Sequence, residues 1–314
     1  MEQTQVFPGW QIVGDGAVGM ALAYRLHCIG EEVCLAGRTA RPDPWALTFQ
    51  HPPDPAVEWP CSTRSGPGDQ RVERLIIATK AFSVAQVLDT WGPKLAPGAR
   101  VYFLQNGIGF RRSGDLSTDV LALDVVNTGF AAFRSSDHAV VQTACEPLWI
   151  GDEAGGVTPA SPEVSDDLDR LVAAGFLVRW TSEIRAHQWL KIGVNAVINP
   201  LTAIFGCRNG ELLEREETRD FVDRLCAENA PVLEALGFRE QAEGLSETTR
   251  QIIGATSTNV SSMLADLNRG DGRSELKFIN HPLIQAADDH GISVPINRSI
   301  SDRAATAFLE SRAR

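Results

Sequence analysis

The sequence lacks the features that mark membrane, secreted and nucleic-acid-binding proteins. No apolar run reaches the roughly 18 residues that a membrane-spanning helix needs, and the N-terminus has neither the basic start nor the apolar stretch of a secretory signal. Lysine and arginine number 29 against 40 acidic residues, which gives a formal net charge of −11 without a long basic block. Such a surface repels phosphate backbones and anionic lipids. We therefore expect a cytoplasmic protein whose partners include neither nucleic acid nor a membrane.

Close cysteine pairs are also missing. The six cysteines are spread over 314 residues without a Cys-x-x-Cys spacing, and the six histidines are scattered. A chain of this length can bury a sizeable core without covalent cross-links, so we expect reduced thiols. Structural zinc requires closely spaced ligand pairs, and the sequence therefore predicts no metal site.

Strand and helix patterns alternate over the first half of the chain. An apolar run at 11–13 enters a glycine turn, a helical pattern follows over 20–26, and 32–36 has the pattern of a second buried strand. Further strands are predicted at 75–78 and 101–104, with a helix between them. This alternation is typical of a parallel sheet covered by helices on both faces.

Long helical patterns dominate the second half of the chain. They are predicted at 183–198, 217–236, 246–267, 276–290 and 299–311. The predicted fold class is α/β, with an N-terminal Rossmann-like doubly wound sheet over residues 1–182 and a second, all-helical C-terminal domain over residues 183–314. Seven prolines between Thr39 and Gln70 exclude a regular helix there, and we expect irregular loops.

The glycine turn has the G-x-G-x-x-G spacing of a dinucleotide-binding loop. The first glycine permits a tight turn, the second lets the backbone approach a pyrophosphate, and the third lets helix and strand pack closely. Amide groups at the helix N-terminus then favour the phosphates. The residues assigned to cofactor binding in this loop are Gly14, Asp15, Gly16, Ala17, Val18 and Gly19.

The end of the second predicted strand indicates which dinucleotide is bound. An acidic residue about 20 positions after the glycines would bind the ribose hydroxyls of NAD. This sequence has Ala36-Gly37-Arg38 instead. A guanidinium can form paired hydrogen bonds with a 2′-phosphate, so we predict NADP(H) as the cofactor. The alternative is a solvated surface arginine.

Two polar residues follow later strands of the predicted sheet. Lys80 follows the strand at 75–78, and Asn106 follows the strand at 101–104. Because ligands bind at the carboxyl ends of strands in such sheets, Lys80 could meet a ribose or phosphate and Asn106 could orient a carboxamide or carbonyl. A solvated lysine and an Asn-Gly turn are the alternatives.

Polar side chains recur along the first predicted helix of the second domain. At about 100° per residue, Lys191, Asn195 and Asn199 form one stripe on an otherwise apolar helix. Buried amide and ammonium groups need partners, so the stripe indicates a cleft that faces a cofactor. The alternative is a polar face in solvent. Pro200 disfavours helical geometry at Asn199, and we expect a bend or a helix end there.

A lysine in this setting is suited to carbonyl reduction. As hydride arrives at a carbonyl carbon, negative charge grows on the oxygen, and an ammonium can stabilise that charge and deliver the proton. Desolvation would lower the pKa of the lysine toward the working pH. We therefore predict that Lys191 is the general acid of a nicotinamide-dependent reduction.

Several blocks of sequence, in order along the chain, resemble the ketopantoate reductase (2-dehydropantoate 2-reductase) family. The most specific are KIGVNAVINPLTA, from Lys191 to Ala203, and NVSSMLAD, from Asn259 to Asp266. The remaining blocks are the glycine loop, Arg38, Thr79-Lys80-Ala81, Gln105-Asn106-Gly107, Asn209–Leu212, Glu275 and His290–Pro295.

The resemblance implies an NADPH-dependent reduction of ketopantoate to pantoate, a step toward pantothenate and coenzyme A. Lys191 would be the general acid at the substrate C2 oxygen, and Glu275 would accept a hydrogen bond from the primary hydroxyl of the substrate. Asn106 would lie near nicotinamide and substrate, with Arg38 and Lys80 at the adenosine end. The other substrate-binding residues implied are Asn195, Asn199 and Ser262.

Three other interpretations have to be weighed against this one. A reductase of another short 2-oxo acid has the same parts and differs in substrate profile. An NADP(H)-binding sensor without turnover needs no proton donor, so Lys191 and Glu275 disfavour it. An interaction protein with a polar helix face leaves the glycine loop and Arg38 unexplained. We therefore expect a small 2-oxo acid as partner; assembly of identical subunits is left open.

Overall fold

The computed structural model describes residues 5–112, 114–145, 147–152, 161–270 and 272–312. The chain forms two compact units. The first comprises Met1–Gln105 and Phe110–Ile184, and the second comprises Asn106–Gly109 and Arg185–Arg314. A short segment in the middle of the sequence is therefore grouped with the C-terminal unit.

A mixed sheet of eleven strands organises the described part of the first unit. The strands run, in chain order, over Val6–Val13 (β1), Val33–Ala36 (β2), Trp45–Gln50 (β3), Val57–Arg64 (β4), Arg71–Ile77 (β5), Leu95–Phe103 (β6), Leu121–Asn127 (β7), Ala131–Ser136 (β8), Ala139–Ala144 (β9), Leu148–Gly151 (β10) and Val178–Trp180 (β11). Their order across the sheet is β11-β10-β7-β6-β5-β1-β2-β4-β3-β9-β8.

The centre of the sheet is parallel, as the alternation of strands and helices predicts. β1 pairs in parallel with β2 on one side and with β5 on the other, and β6 and β7 continue the parallel arrangement. All four residues of β2 are buried, which requires cover on both of its faces. The helices of this unit are α1 (Ala17–Cys28), α2 (Val84–Trp91) and α3 (Pro162–Ala173). The predicted α/β class is confirmed.

The proline-rich segment after β2 differs from expectation. The prediction of irregular loops between Thr39 and Gln70 is wrong, because β3 and β4 form an antiparallel pair there and β4 extends the sheet beside β2. Alternate residues of β3, namely Trp45, Leu47 and Phe49, are buried. Proline excludes a helix interior but is tolerated at loop and strand-edge positions, so the period-two pattern of a strand survives among the prolines.

The regular secondary structure described in the second unit is helical. After α4 (Ile184–Phe205) its helices are α5 (Glu211–Glu214), α6 (Glu216–Ala235), α7 (Arg239–Ala255), α8 (Ser262–Arg269), α9 (Leu276–Asp289) and α10 (Pro295–Ser311). Apolar side chains of α4, α6, α7 and α9 share one core. Among the helices described in the two units, none is both long enough and apolar enough to cross a membrane.

The single helix predicted over 246–267 is wrong. The chain forms α7 and α8 there, and the break between them ends at Ser261, whose hydroxyl accepts a hydrogen bond from the amide of Leu264 at 3.1 Å. A serine in this position caps a new helix by binding an amide that would otherwise have no acceptor. The cap therefore allows α8 to start as a separate helix.

Of the bend or helix end expected at Asn199, the helix end is wrong. Helix α4 continues through Pro200 as far as Phe205. Proline has no N–H to donate to the carbonyl four residues earlier, which belongs to Ala196. Asn280 of α9 donates its side-chain N–H to that carbonyl at 3.2 Å. The lost helical hydrogen bond is thus replaced from a neighbouring helix.

Candidate active site

The glycine loop forms a tight connection between β1 and α1. The amide of Gly14 donates to the carbonyl of Ala36 at 2.8 Å, and a Cβ at position 14 would lie 2.7 Å from the carbonyl of Ala78. A Cβ on Gly19 would overlap the carbonyl oxygen of Gly14. Two of the three glycines are therefore required by the packing of the loop itself.

Gly16 has a different environment from the other two glycines. A Cβ added to it would meet no atom within 4 Å, so its backbone faces open space. Gly16 stands at the N-terminus of α1, where, within the described chain, no side chain caps the amides and the first turn holds no acid. Free amides and the helix dipole favour an anion at this place, so the loop fits the pyrophosphate of a dinucleotide.

The side chain of Asp15 lies against the end of β2. A Cβ on Gly37 would stand 2.6 Å from the Asp15 carboxyl carbon, which places the carboxyl group directly beside Gly37. Arg41 donates to the same carboxylate at 2.9 and 3.3 Å. The charge of Asp15 is therefore compensated by Arg41.

The cations predicted for the adenosine end differ in their surroundings. Arg38 is exposed just after β2 and, among the residues with described positions, forms no ion pair. Lys80 is partly buried and precedes the short 3-10 helix Ala81–Ser83 after β5. Both positions follow the carboxyl ends of strands adjacent to β1, as the sequence predicts.

The polar stripe of α4 is largely shielded from solvent. Lys191 and Asn195 are partly buried, and Asn199 is only 5% exposed. Burial lowers the pKa of Lys191 to about 8, although the nearby Glu275 carboxylate opposes this shift. Within the described part of the second unit, neither asparagine side chain forms a hydrogen bond. The stripe therefore offers an easily deprotonated ammonium and two amides that can bind a ligand.

Glu275 is placed by the start of α9. It is 4% exposed and immediately precedes that helix. The contact from Asn280 to the Ala196 carbonyl packs α9 on α4, and the negative charge of Glu275 acts to raise the pKa of Lys191. The second unit therefore brings together the proton donor and the carboxylate implied by the resemblance.

The segment that carries Asn106 contacts the start of α9 in the second unit. The amide of Ile108 donates to the carbonyl of Phe278 at 3.0 Å, and a Cβ on Gly107 would overlap that carbonyl. Phe278 lies in the first turn of α9, close in sequence to Glu275. Gln105, which precedes Asn106, belongs to the first unit. Its side-chain N–H group donates to the carbonyls of Ile77 and Thr79 at 2.8 and 3.0 Å.

Ser262 and its neighbour Ser261 have different environments. Ser262 is the first residue of α8 and is exposed. Ser261 is buried, caps α8 and lies 2.6 Å from the hydroxyl of Thr202 on α4. This contact holds the start of α8, and with it Ser262, beside α4.

Sequence reasoning missed four residues that shape these sites: Arg41, Thr202, Ser261 and Asn280. A serine before a helical pattern is a recognisable capping signal, so Ser261 could have been found. Pro200 inside an apolar helix indicates that an external donor is required, but no sequence pattern identifies Asn280 as that donor. Across the described ranges, no group of three or more histidine, cysteine, aspartate or glutamate residues could hold a metal ion.

Known proteins resemble this chain over most of its length. Residues 10–155 match the family model described as ketopantoate reductase PanE/ApbA, and residues 183–306 match the model of its C-terminal part. The 2-dehydropantoate 2-reductase of Yersinia pestis is 33% identical over 228 residues, which cover 72% of this chain and 71% of the relative.

Solved structures have the same fold. The PanE/ApbA family ketopantoate reductase of Ralstonia eutropha JMP134 superimposes with a TM-score of 0.81 at 24% identity, covering 96% of this chain and 99% of the other. D-mandelate dehydrogenase, solved with NADH and anilino(oxo)acetate, also gives 0.81 at 18% identity, with the same coverage. With both of its parts matched by the family models, the chain belongs to the ketopantoate reductase family.

Proposed function

We propose that the protein reduces 2-dehydropantoate to pantoate with NADPH. The observation that carries the proposal is the partly buried Lys191, whose pKa is lowered to about 8 in a unit that also places Glu275 near it. Membership of the ketopantoate reductase family supports the same substrate. In this proposal residues 1–182 bind the dinucleotide, and residues 183–314 bind the substrate.

Lys191 supplies the proton. Bound NADPH supplies hydride to the C2 carbonyl carbon of the substrate. The Lys191 ammonium stabilises the negative charge that grows on the carbonyl oxygen and transfers a proton to it. With a pKa of about 8, the amine is mostly protonated at neutral pH, yet releases its proton more readily than an exposed lysine.

The polar groups around Lys191 bind the rest of the substrate. Among the described residues the Asn195 and Asn199 side chains have no hydrogen-bond partner, so their amides can bind the substrate's oxygens. Glu275 accepts a hydrogen bond from its primary hydroxyl, and Ser262 binds it from the start of α8. A buried amide without a hydrogen-bond partner is costly, so Asn199 favours a substrate that carries matching polar atoms.

The first unit selects the cofactor. The open backbone at Gly16 supports pyrophosphate binding by the loop from Gly14 to Gly19. Arg38 forms charge-assisted hydrogen bonds with the 2′-phosphate, and Lys80 binds at the adenosine end. Asn106 orients the nicotinamide and the substrate.

The test is NADPH oxidation by the purified protein with a panel of short 2-oxo acids. We expect ketopantoate to give the highest kcat/KM and NADPH to be preferred over NADH. A higher value for another 2-oxo acid would reassign the substrate within the same chemistry. Cofactor binding without turnover of any 2-oxo acid would identify a sensor instead.

The cofactor assignment is tested with Arg38→Ala, which should abolish the preference for NADPH. Arg134→Ala is a matched control, since this arginine lies far along the chain on β8 and forms an exposed ion pair with Asp137. Equal use of NADPH and NADH by the unmodified protein would contradict the role of Arg38.

A further inference from the structure

An acidic residue lies where the ribose of a dinucleotide is usually selected. In dinucleotide-binding folds, a carboxylate at the end of the second strand binds the ribose hydroxyls of NAD, and the same negative charge repels a 2′-phosphate. Here the sequence has no acid at the end of β2, but Asp15 reaches that place from the glycine loop. Its carboxyl group lies directly beside Gly37, the residue that follows β2.

Arg41 neutralises this carboxylate. Its guanidinium donates two hydrogen bonds to one carboxylate oxygen of Asp15, at 2.9 and 3.3 Å. Both side chains keep partial exposure, 23% for Arg41 and 20% for Asp15, so the pair remains accessible to a ligand. Because the pair is close to neutral, Asp15 adds little negative charge beside Arg38, which is exposed just after β2.

The position of Arg41 is fixed by its neighbours rather than by the ion pair alone. Its guanidinium stacks over the Trp45 ring at 4.6 Å. The residues around it are tied to β4, because the hydroxyl of Thr63 donates to the carbonyl of Pro42 at 2.8 Å and the amide of Thr63 donates to Asp43 at 3.1 Å. The inserted pair β3 and β4 therefore holds Arg41 beside Asp15.

We propose that Arg41 determines cofactor specificity by masking the charge of Asp15, and that without it the carboxylate would repel a 2′-phosphate and favour NAD. This inference rests on the proposed function, because it concerns the dinucleotide that the reductase uses. Arg41 is a specificity-determining residue that acts through Asp15, whereas Arg38 is the residue proposed to contact the phosphate.

The experiment measures dissociation constants of NADP⁺ and NAD⁺ by calorimetry, without substrate or turnover. We expect Arg41→Ala to raise the Kd for NADP⁺ by at least about tenfold, because an unmasked carboxylate faces a phosphate. The Kd for NAD⁺ should change by less than about threefold, because NAD⁺ carries no 2′-phosphate. Arg134→Ala, which removes the arginine of another Arg-Asp pair in the same unit, should change neither constant.

The deciding variant is the double substitution Arg41→Ala with Asp15→Asn. If Arg41 acts by masking, removal of the carboxylate should restore most of the lost NADP⁺ affinity, and Asp15→Asn alone should bind NADP⁺ at least as tightly as the unmodified protein. A double variant as weak as Arg41→Ala would overturn the proposal, and so would an unchanged NADP⁺ affinity in Arg41→Ala. Thermal unfolding of each variant identifies a loss of folding.

Failure of the proposed function has a separate signature. An unmodified protein that binds neither NADP⁺ nor NAD⁺ would refute the dinucleotide site itself. An unmodified protein that binds NADP⁺ while Arg41→Ala leaves the ratio of the two constants intact would refute only the role of Arg41.

Discussion

The glycine loop and helix α4 present ligand-binding groups in opposite ways. At the loop the available groups are backbone amides, and the sequence requirement is that side chains be absent. Along α4 the available groups are side chains, held in an apolar helix at a cost in solvation that is visible in the lowered pKa of Lys191. Ligand binding by the loop backbone should therefore be weakened by an added side chain. Ligand binding by α4 should be weakened by the loss of a charged side chain.

Replacement of Lys191 tests the side-chain half of this comparison and has the largest expected effect. Lys191→Ala should lower kcat for ketopantoate reduction by about 10²–10⁴-fold, the usual contribution of a positioned general acid. The Kd for NADP⁺ should stay within about twofold, because the proposed function assigns that affinity to backbone groups and Arg38. Steady-state kinetics and calorimetry measure the two quantities.

Lys94→Ala provides the control, since Lys94 is another partly buried lysine and belongs to the first unit. It should leave kcat unchanged. A Lys191→Ala variant that retains kcat would show that another group donates the proton.

The pH dependence of kcat and of NADP⁺ affinity distinguishes the contribution of α4 from that of the glycine loop without a mutation. With Lys191 as the proposed general acid, reduction requires its protonated form, so kcat should fall about tenfold per pH unit above a pH of about 8, where the amine loses its proton. Oxidation of pantoate requires the neutral amine and should accelerate as pH rises toward the same value. Arginine stays charged throughout this range.

We therefore expect NADP⁺ affinity to be nearly constant between pH 7 and pH 9. A parallel loss of affinity and kcat would indicate that the titrating group belongs to the cofactor site. Calorimetric measurement of the Kd for NADP⁺ at each pH, beside kcat at the same pH, distinguishes these outcomes.

Gly16→Ala tests the backbone half of the comparison. The added methyl group meets no protein atom within 4 Å, so folding should be unaffected. It would stand where the pyrophosphate approaches the backbone, and we expect the Kd for NADP⁺ to rise by about tenfold. Gly19→Ala is the contrasting variant, since its methyl group overlaps the carbonyl of Gly14 and should lower the melting temperature as well.

Asn280→Leu has the smallest expected effect and tests how α4 is supported. The change leaves the Ala196 carbonyl without its donor but also removes a buried amide oxygen that has no hydrogen-bond partner in the described structure. The two effects oppose each other, and we expect a net loss of about 1 kcal/mol in the free energy of unfolding. Urea denaturation measures it, and an unchanged midpoint would show that losing the donor to Ala196 costs no more than removing the unpartnered amide oxygen gains.

The fold could be predicted where local patterns and global structure agree. The β1-α1-β2 unit follows from a buried run, three spaced glycines and a helical period, all of which are local signals. β3 and β4 are missed because the prolines around them, and Pro60 within β4, conceal a period-two pattern. Continuation of α4 through Pro200 depends on Asn280, 84 residues further along the chain from its acceptor, which no local signal reveals.

The site was predictable to the extent that its chemistry lies on one element. Lys191, Asn195 and Asn199 share a helix face, so their spacing alone groups them. Asp15 pairs with Arg41, which lies outside the blocks of sequence that carry the resemblance. The placement of Ser262 depends on a hydroxyl contact between Ser261 and Thr202, two residues far apart in sequence.

The course of the chain around Asn106 has a consequence for dissecting the protein. Gln105 is hydrogen-bonded within the first unit and Ile108 within the second. The polypeptide therefore leaves the first unit after Gln105, returns to it at Phe110 and leaves it again after Ile184. A fragment that begins at residue 185 would contain α9 but would lack the segment 106–109, whose Ile108 amide donates to the Phe278 carbonyl. The second unit therefore cannot be exchanged as one continuous stretch of sequence. A chimera with a relative must exchange 106–109 together with the C-terminal helices.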